Sequence, residues 1–337
     1  MESRPAPPPH SVELSIIIPV YNNASTLDAL LDRIVAVMEG LGLTFEVVLV
    51  DDGSRDESLA VLESRAARDP RIRPFALVRN FGGQAAACAA LDQVVGRRVL
   101  SMDADLENRP EDIPAFLAQL DSGSDMVCGY RALRSAPLLT RRLPSLLMNT
   151  YVRRQTGAYI RDLGCGMRAF EGWVVRDLEA EGEARRLLTP LLLRRARRVT
   201  EVALTQGAKH KSGGHSFMSL LGIAIDYYIL TARRPFLVTG LVSLTAIVVG
   251  AIVCAASATQ LAGLIVMASG LLGLPLSLAG EYCQRLYQLG QKVPFYILRE
   301  LNGVEHTVEA PAAAPGRGLR AARVLEPAGG AGPVVDR

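Results

Sequence analysis

Asp103 and Asp105 stand one residue apart, directly after the apolar run Val99-Leu100-Ser101-Met102. A run of that kind reads as a short β-strand, so the two carboxylates fall at a strand's carboxyl end, where open α/β sheets bind their ligands. Carboxylate oxygens are hard donors, suited to Mg²⁺ or Mn²⁺ carrying a diphosphate. Two further polar clusters follow earlier apolar runs: Pro19-Val20-Tyr21-Asn22-Asn23 and Asp51-Asp52-Gly53-Ser54. Tyr21 can pack on a planar base, and Asp51 and Asp52 can accept hydrogen bonds from a base N–H or from ribose hydroxyls. Each also has a plainer reading. A D-x-D tripeptide is often a solvated turn, Tyr21 can be a half-buried strand-end aromatic, and Asp51-Asp52-Gly53-Ser54 can be a turn and helix cap. Their common position, after successive strands, is what makes them a candidate site.

The elements that would position these residues are legible from periodicity. Leu14 to Pro19, Phe45 to Val50, Ile72 to Val78, Val99 to Met102 and Met126 to Cys128 are short aliphatic runs separated by segments of helical spacing. That alternation predicts an α/β fold, a mostly parallel sheet covered on both faces. Leu27, Leu30, Leu31, Ile34, Val35 and Met38 mark a crossover helix, with Asn23 or Ser25 available as its cap. Further helices are expected over Asp56 to Arg68, Gly83 to Val94 and Pro110 to Leu120, the last opening on proline and acidic residues.

The second half of the chain has a different character. Phe236 to Ala256 is 21 residues without a charge, enough at about 1.5 Å per residue to cross a hydrocarbon core of about 30 Å. Leu261 to Ala279 is a second uncharged stretch, so residues 235–280 are predicted to form a transmembrane hairpin with spans at about 236–256 and 261–279. Arg233-Arg234 before it and Arg285 and Lys292 after it place both termini in the cytoplasm by the positive-inside rule. Arginine pairs at 141–142, 153–154, 185–186, 194–195, 197–198 and 233–234 lie mostly beside leucines, which suits an anionic membrane surface as well as it suits ordinary solvated helix faces. Near 137–153 the mixture of leucine and arginine fits either an interfacial helix or a core helix with a basic outer face, and 217–234 reads as a juxtamembrane amphipathic helix. Residues 1–11 and 310–337 are predicted to be disordered, with 281–309 a cytoplasmic segment between hairpin and tail. A net charge of only +3 does not suggest nucleic acid as a partner. Five cysteines without a C-x-x-C pair or zinc spacing point to reduced thiols.

With these residues in view, the chain resembles the inverting family 2 glycosyltransferases of GT-A fold. Within that family it is most similar to the polyprenyl-phosphate glycosyltransferases, above all the undecaprenyl-phosphate aminoarabinose (4-deoxy-4-formamido-L-arabinose) transferases and their glucosyl and dolichyl-phosphate mannosyl relatives. The matching segments are Ile18 to Asn22, Val50 to Ser54, Arg79-Asn80-Phe81-Gly82, Met102 to Leu106 with Pro110-Glu111, Asp162 to Ala169, and Gly280-Glu281-Tyr282 with Arg285 and Tyr287. Together they run from about Leu14 to Arg299.

The resemblance implies a GT-A catalytic domain over 12–216 and metal-dependent transfer of a sugar from a UDP- or GDP-sugar to a polyprenyl phosphate, at the cytoplasmic face of the bacterial inner membrane. It assigns Pro19, Tyr21, Asn23, Asp51, Asp52 and Asp103 to the nucleotide, and Asp105, with Asp103, to Mg²⁺ or Mn²⁺ on the diphosphate. Asp162 is the candidate base or an orienting residue. Arg131, Arg134 and Arg168 are candidates for the lipid phosphate, with structural salt bridges as the alternative for all three. Relatives commonly carry an acidic residue where Asn23 stands, and a Ser-Lys-Tyr-like loop near Gly213 to Phe217, where His215 is a candidate donor or a lone surface histidine. A homo-oligomer, up to a tetramer, is also implied. The alternatives are a processive polysaccharide synthase and a membrane-anchored scaffold that binds nucleotide sugars without turnover. The first lacks its Gln-x-x-Arg-Trp motif here, since the sole tryptophan, Trp173, follows Gly172.

Overall fold

The structure is a computed structural model and describes residues 12–131, most of 150–205, scattered positions between 272 and 286, and residues 296–299 and 301. The chain divides into two units, one of residues 1–213 with 294–337 and one of residues 214–293.

The first unit is built on a sheet of eight strands: β1 Leu14–Val20, β2 Phe45–Asp51, β3 Ile72–Leu77, β4 Arg98–Ser101, β5 Met126–Arg131, β6 Arg168–Glu171, β7 Val199–Leu204 and β8 Leu298–Arg299. Their spatial order is β7-β5-β6-β4-β1-β2-β3-β8. The five strands expected from sequence are all present. Three others, β6, β7 and β8, were not expected, and two of them change the sheet from parallel to mixed: β6 runs antiparallel between β4 and β5, and β8 antiparallel beside β3.

The strands are aliphatic throughout because both faces are covered. Leu14, Ile16, Ile18 and Val20 join a core with α1 (Ala24–Leu41) and α4 (Ile113–Asp121), which contribute Leu27, Leu30, Leu31, Ile34, Met38, Phe116 and Leu120. The opposite face of β1 and β2 is covered by α3 (Gly83–Leu91), whose run of buried alanines lets helix and sheet approach closely. α2 (Ser58–Ala66) packs on α1 and β3. Two short helices follow, α5 (Gly172–Val175) and α6 (Leu188–Arg195). The expected cap of α1 is in place at Asn23, although its side chain makes no capping bond to the helix. α4 is preceded by a 3₁₀ turn, Pro110–Asp112, with the predicted proline and acidic residues in its first turn.

The polar residues buried at the amino edge of the sheet satisfy one another. Glu46 accepts from the Ser15 hydroxyl, from Arg73 and from the Val95 amide. At the carboxyl edge the strand order reverses between β1 and β4, since the chain moves outward through β2 and β3 and then returns to the other side of β1. Pro19 marks this gap. The Met102 amide donates to the Ile17 carbonyl, so Ile17, and with it Pro19, faces β4, whose ladder ends at the pair Ile17–Ser101. The missing proline N–H therefore costs no sheet hydrogen bond, and the strands part where a ligand crevice is expected.

In the second unit the described residues between 272 and 286 are helical, with Leu272, Leu276 and Leu286 exposed. Among the described residues no helix is long and apolar enough to cross a membrane. The expected span 236–256 lies outside the described residues, as do most of 261–279, most of the segment near 137–153, and all of 217–234.

Candidate active site

Four turns meet at the carboxyl edge. The turns after β1 and β2 are stitched together: the Asn22 amide donates to Ser54 Oγ (2.9 Å), the Arg55 amide to Asn22 Oδ1 (2.8 Å) and the Asn23 amide to Ser58 Oγ (2.8 Å). Asn22 holds a left-handed backbone, φ 51°, which asparagine tolerates better than most residues. Tyr21 is 40% exposed at the rim. Asn23 instead turns inward. It is buried, and its Oδ1 accepts from the Tyr21 amide at 3.2 Å, so it shapes the turn rather than facing the crevice.

The two aspartates after β2 differ in their surroundings. Asp52 accepts from the amides of Phe81 (2.7 Å) and Gly82 (2.9 Å), which consumes both of its oxygens in fastening the loop 79–82 to the end of β2. Burial pushes its carboxyl above the ordinary range in spite of those two bonds. Gly53, at φ +68°, lets the same loop close in, because a Cβ there would lie 2.7 Å from the Asn80 amide nitrogen. Asp51 accepts from the Ser54 amide through Oδ2 (3.0 Å), while its Oδ1 is buried without a hydrogen-bond partner. A buried acceptor left in that state costs free energy unless a ligand supplies the donor.

The Asp103-Ala104-Asp105 turn is fixed from three sides. Thr26, in the first turn of α1, donates to the Ala104 carbonyl at 2.7 Å, and Asn108 Nδ2 donates to Asp103 Oδ2 at 3.0 Å. Asp105 Oδ1 accepts from the Glu107 amide at 3.0 Å across Leu106, a leucine at φ 63°. Strain of that kind in a non-glycine residue collects at functional turns. On the third side is Gly166, where a Cβ would collide with all three atoms of the Asp103 carboxyl group. Burial and the neighbouring Asp105 raise the Asp103 carboxyl above the ordinary range, against the pull of Arg168 and the Asn108 bond. A cation between the two carboxylates would relieve this repulsion.

β6 accounts for the arrival of the 162–168 segment. The amino end of an antiparallel strand lies at the carboxyl edge of its parallel neighbours, so Arg168 pairs in register with Ser101 of β4 and Cys128 of β5. Arg168 Nη2 donates to the Leu163 carbonyl (2.7 Å), and its charge lies within reach of Asp103. Arg131, the last residue of β5, forms a two-pronged pair with Asp162, Nε to Oδ2 at 2.7 Å and Nη2 to Oδ1 at 3.1 Å, with Glu107 at 3.5 Å from Nη1. Both partners are largely buried, 12% and 11% exposed at their side chains. Burial works against the Arg131 charge, yet the hydrogen bonds and charge of Asp162 outweigh it and lift its pKa above the ordinary guanidinium value. The thiols of Cys128 and Cys165 nearby are pushed up by burial to about 12 and about 11, as inert reduced cysteines.

Of the residues singled out from sequence, the structure brings Tyr21, Asp51, Asp52, Asp103, Asp105, Arg131, Asp162 and Arg168 to one edge; Arg134 and His215 lie outside the described residues. Asn108, Glu107, Thr26 and Gly166 were not foreseen. Glycine at 166, between Cys165 and an apolar residue, was the one available signal, since a glycine inside a polar motif can mark close backbone approach.

The sequence pattern of Glycosyl transferase family 2 matches residues 15–177. An undecaprenyl-phosphate 4-deoxy-4-formamido-L-arabinose transferase of Pseudomonas aeruginosa (strain LESB58) is 34% identical over 297 residues, covering 83% of this chain and 87% of that protein. The chain belongs to glycosyl transferase family 2. A Shewanella sediminis protein of the same name is 31% identical over 86% of this chain and 92% of its own length. Among solved structures, glucosyl-3-phosphoglycerate synthase from Mycobacterium tuberculosis, in complex with Mn²⁺, uridine diphosphate and glucosyl-3-phosphoglycerate, is similar at 20% identity and a TM-score of 0.49, covering 66% of this chain and 80% of that one. As a family 2 glycosyltransferase, the chain has an α/β catalytic domain of the GT-A kind, and the family match spans the turns after β1, β2 and β4 and the 162–168 segment.

Proposed function

We propose that this glycosyltransferase moves a sugar from a nucleoside-diphosphate donor to a polyprenyl phosphate, undecaprenyl phosphate by the reading its relatives support, with inversion at the anomeric carbon, at the cytoplasmic face of the bacterial inner membrane. The observation that carries the donor half is the pairing, on one rim, of the unpartnered buried Asp51 oxygen with the crowded Asp103 carboxylate. In this reading the unpartnered Asp51 Oδ1 accepts a base N–H, which both a uracil and a guanine offer, and Tyr21, exposed at the same edge, supplies an aromatic face. Asp52 contributes indirectly, by holding the loop 79–82.

The donor set also fits a divalent cation. Among the described residues no three His, Cys, Asp or Glu side chains group closely enough to hold a metal ion by themselves. Mg²⁺ is commonly held by one or two carboxylates and completed by substrate phosphate oxygens, so Asp105 and Asp103 would suffice beside a diphosphate. When bound, Mg²⁺ or Mn²⁺ would act as a Lewis acid that offsets charge on the diphosphate.

An oxygen of the acceptor phosphate forms a bond to the anomeric carbon as the bond from that carbon to the diphosphate breaks, and the electron pair leaves with the nucleoside diphosphate. A phosphate monoester is largely ionised near neutral pH, its second pKa being about 6, so little proton abstraction is needed. Asp162 suits an orienting part better than a basic one, because both of its oxygens already face the Arg131 guanidinium. Arg131 has its Nε/Nη2 edge on Asp162 and Nη1 3.5 Å from Glu107, which is the salt-bridge alternative for this residue, and a phosphate would have to share its guanidinium with those carboxylates; Arg168 is the second cation on that side. The test is Asp51→Asn in the full-length enzyme: affinity for the nucleoside diphosphate should fall by about 5- to 150-fold, since the mismatch of one buried polar group costs about 1–3 kcal/mol. Unchanged affinity in that variant would refute the donor assignment. Appearance of labelled sugar in the lipid fraction, from a panel of nucleotide sugars and undecaprenyl phosphate, would test the acceptor.

A further inference from the structure

Among the described residues, the next strand of this sheet after β7 is β8, on the edge next to β3. The rejoining residues are tied down at two points. The Val78 amide donates to the Ile297 carbonyl at 3.1 Å, extending the pairs Leu77–Leu298 and Ala76–Arg299. One residue earlier, the Tyr296 hydroxyl donates to Asp92 Oδ2, at the C-cap of α3. Asp92 also takes both of its oxygens to Arg185 Nη2, at 2.7 and 2.6 Å, and the same nitrogen reaches the Cys88 carbonyl at 3.1 Å. Arg185 is 6% exposed and its guanidinium lies 5.9 Å from the centre of the Tyr296 ring. A buried pair of this kind is held by geometry, and removal of one partner is felt by the other.

What these two ties enclose is the loop 79–82. Val78 immediately precedes it, and α3 begins at Gly83 immediately after it. Asp52 grips the same loop through the amides of Phe81 and Gly82, and Asn80 presses on Gly53 beside Asp51. The segment 296–299 therefore fixes the strand that enters the loop and the far end of the helix that leaves it. We propose that the returning segment positions the donor side of the active site, with Tyr296 as its anchoring residue through Asp92 and Arg185. This rests on the reading of the Asp51 rim as the nucleotide site. Tyr296 acts through the loop and touches no substrate, so its loss should show in donor affinity and leave the chemistry alone.

The experiment is Tyr296→Phe in the full-length enzyme, which keeps the ring over Arg185 and deletes the hydroxyl. The donor KM, and the dissociation constant for the nucleoside diphosphate alone, should rise by about 3- to 10-fold, part of the value of a hydrogen bond to a charged acceptor. kcat and the KM for polyprenyl phosphate should stay within about twofold. Asp92→Asn, which keeps the shape and removes the charge that holds Arg185, should give the same split. Donor KM unchanged in both variants, or kcat and both KM values moving together, overturns the proposal and leaves a plain structural contact. Asp51→Asn separates the two readings: if it leaves nucleotide affinity intact, the donor site itself is misassigned and this positioning role falls with it. If Asp51→Asn weakens the nucleotide and Tyr296→Phe does not, the positioning role alone is refuted.

Discussion

Gly166 and Gly164 are two residues apart in the same motif, and the structure gives them opposite tolerance for a methyl group. Neither has a backbone in the left-handed region, so only the space around each decides the outcome. At Gly164 a Cβ would sit 3.5 Å from Arg131 Nη2 and from Asp162 Oδ1, an ordinary contact. At Gly166 it would overlap the whole Asp103 carboxyl group, and that group is not free to swing away, because Asn108 holds one oxygen at 3.0 Å. Relief of such overlap by shifted side chains and backbone costs about 1–3 kcal/mol, small enough to leave the domain folded. A displacement of about 1 Å at a reacting centre costs about 10²-fold in rate. Gly166→Ala should therefore lower kcat/KM for transfer by about 10²-fold and weaken the divalent-ion dependence of nucleoside diphosphate binding. Gly164→Ala should stay within about twofold of the parent, as expected of a substitution that meets no tight contact. The assay is transfer of label from the nucleotide sugar into the lipid fraction, with an unfolding curve for each variant. Equal turnover in the two variants would refute the account of how Asp103 is held.

Arg33 donates to both oxygens of Glu111, at 2.9 and 2.5 Å, and pins α1 to the turn ahead of α4. The hydrogen bond from Arg33 holds the Glu111 carboxyl down at about 2 against an ordinary 4.5, so its stabilisation is complete above about pH 4.5 and is lost as pH falls through about 2. The pair is partly exposed, so Arg33→Gln should lower stability to urea at pH 6 by no more than about 1 kcal/mol; a difference from the parent that persists undiminished at pH 2 would disprove the linkage. For the membrane topology, a reporter active only outside the cytoplasm should function when inserted between residues 257 and 260 and fail when fused after residue 309, and the reverse pattern would overturn the assigned orientation.

The strands with a strong aliphatic signal were legible because a sheet covered on both faces demands near-continuous hydrophobic runs, and the polar clusters after three of them were legible because the edge they share follows from topology. What the sequence hid is the use of each polar group once the edge is assembled. Asp51 and Asp52 are adjacent and chemically identical, yet one is spent on Phe81 and Gly82 while the other keeps an unpartnered oxygen, and the partners that decide this lie about 30 residues downstream. Asn23 carries the right chemistry for a ligand and turns to its own backbone neighbour instead. Arg131 and Asp162 were assigned separate roles, because nothing in a spacing of 31 residues says that β6 folds back to bring them together. β8 is two residues long, too short for any periodicity to register.

That short strand nevertheless constrains the part of the chain it follows. β7 ends at Leu204, β8 begins at Leu298, and both belong to one sheet. A sheet lies on one side of a bilayer, so the stretch between them crosses an even number of times or not at all. The sequence supplies two uncharged stretches of spanning length in that interval, at 236–256 and 261–279, and no third. Strand pairing allows any even number of crossings, zero included, and the hairpin we propose over 235–280 is the even number that composition supplies. In the topology we propose, the flanking arginines would put its open end on the cytoplasmic side by the positive-inside rule. In that reading the return of the chain to β3 ties the residues that follow the proposed hairpin to the strand that enters the loop 79–82.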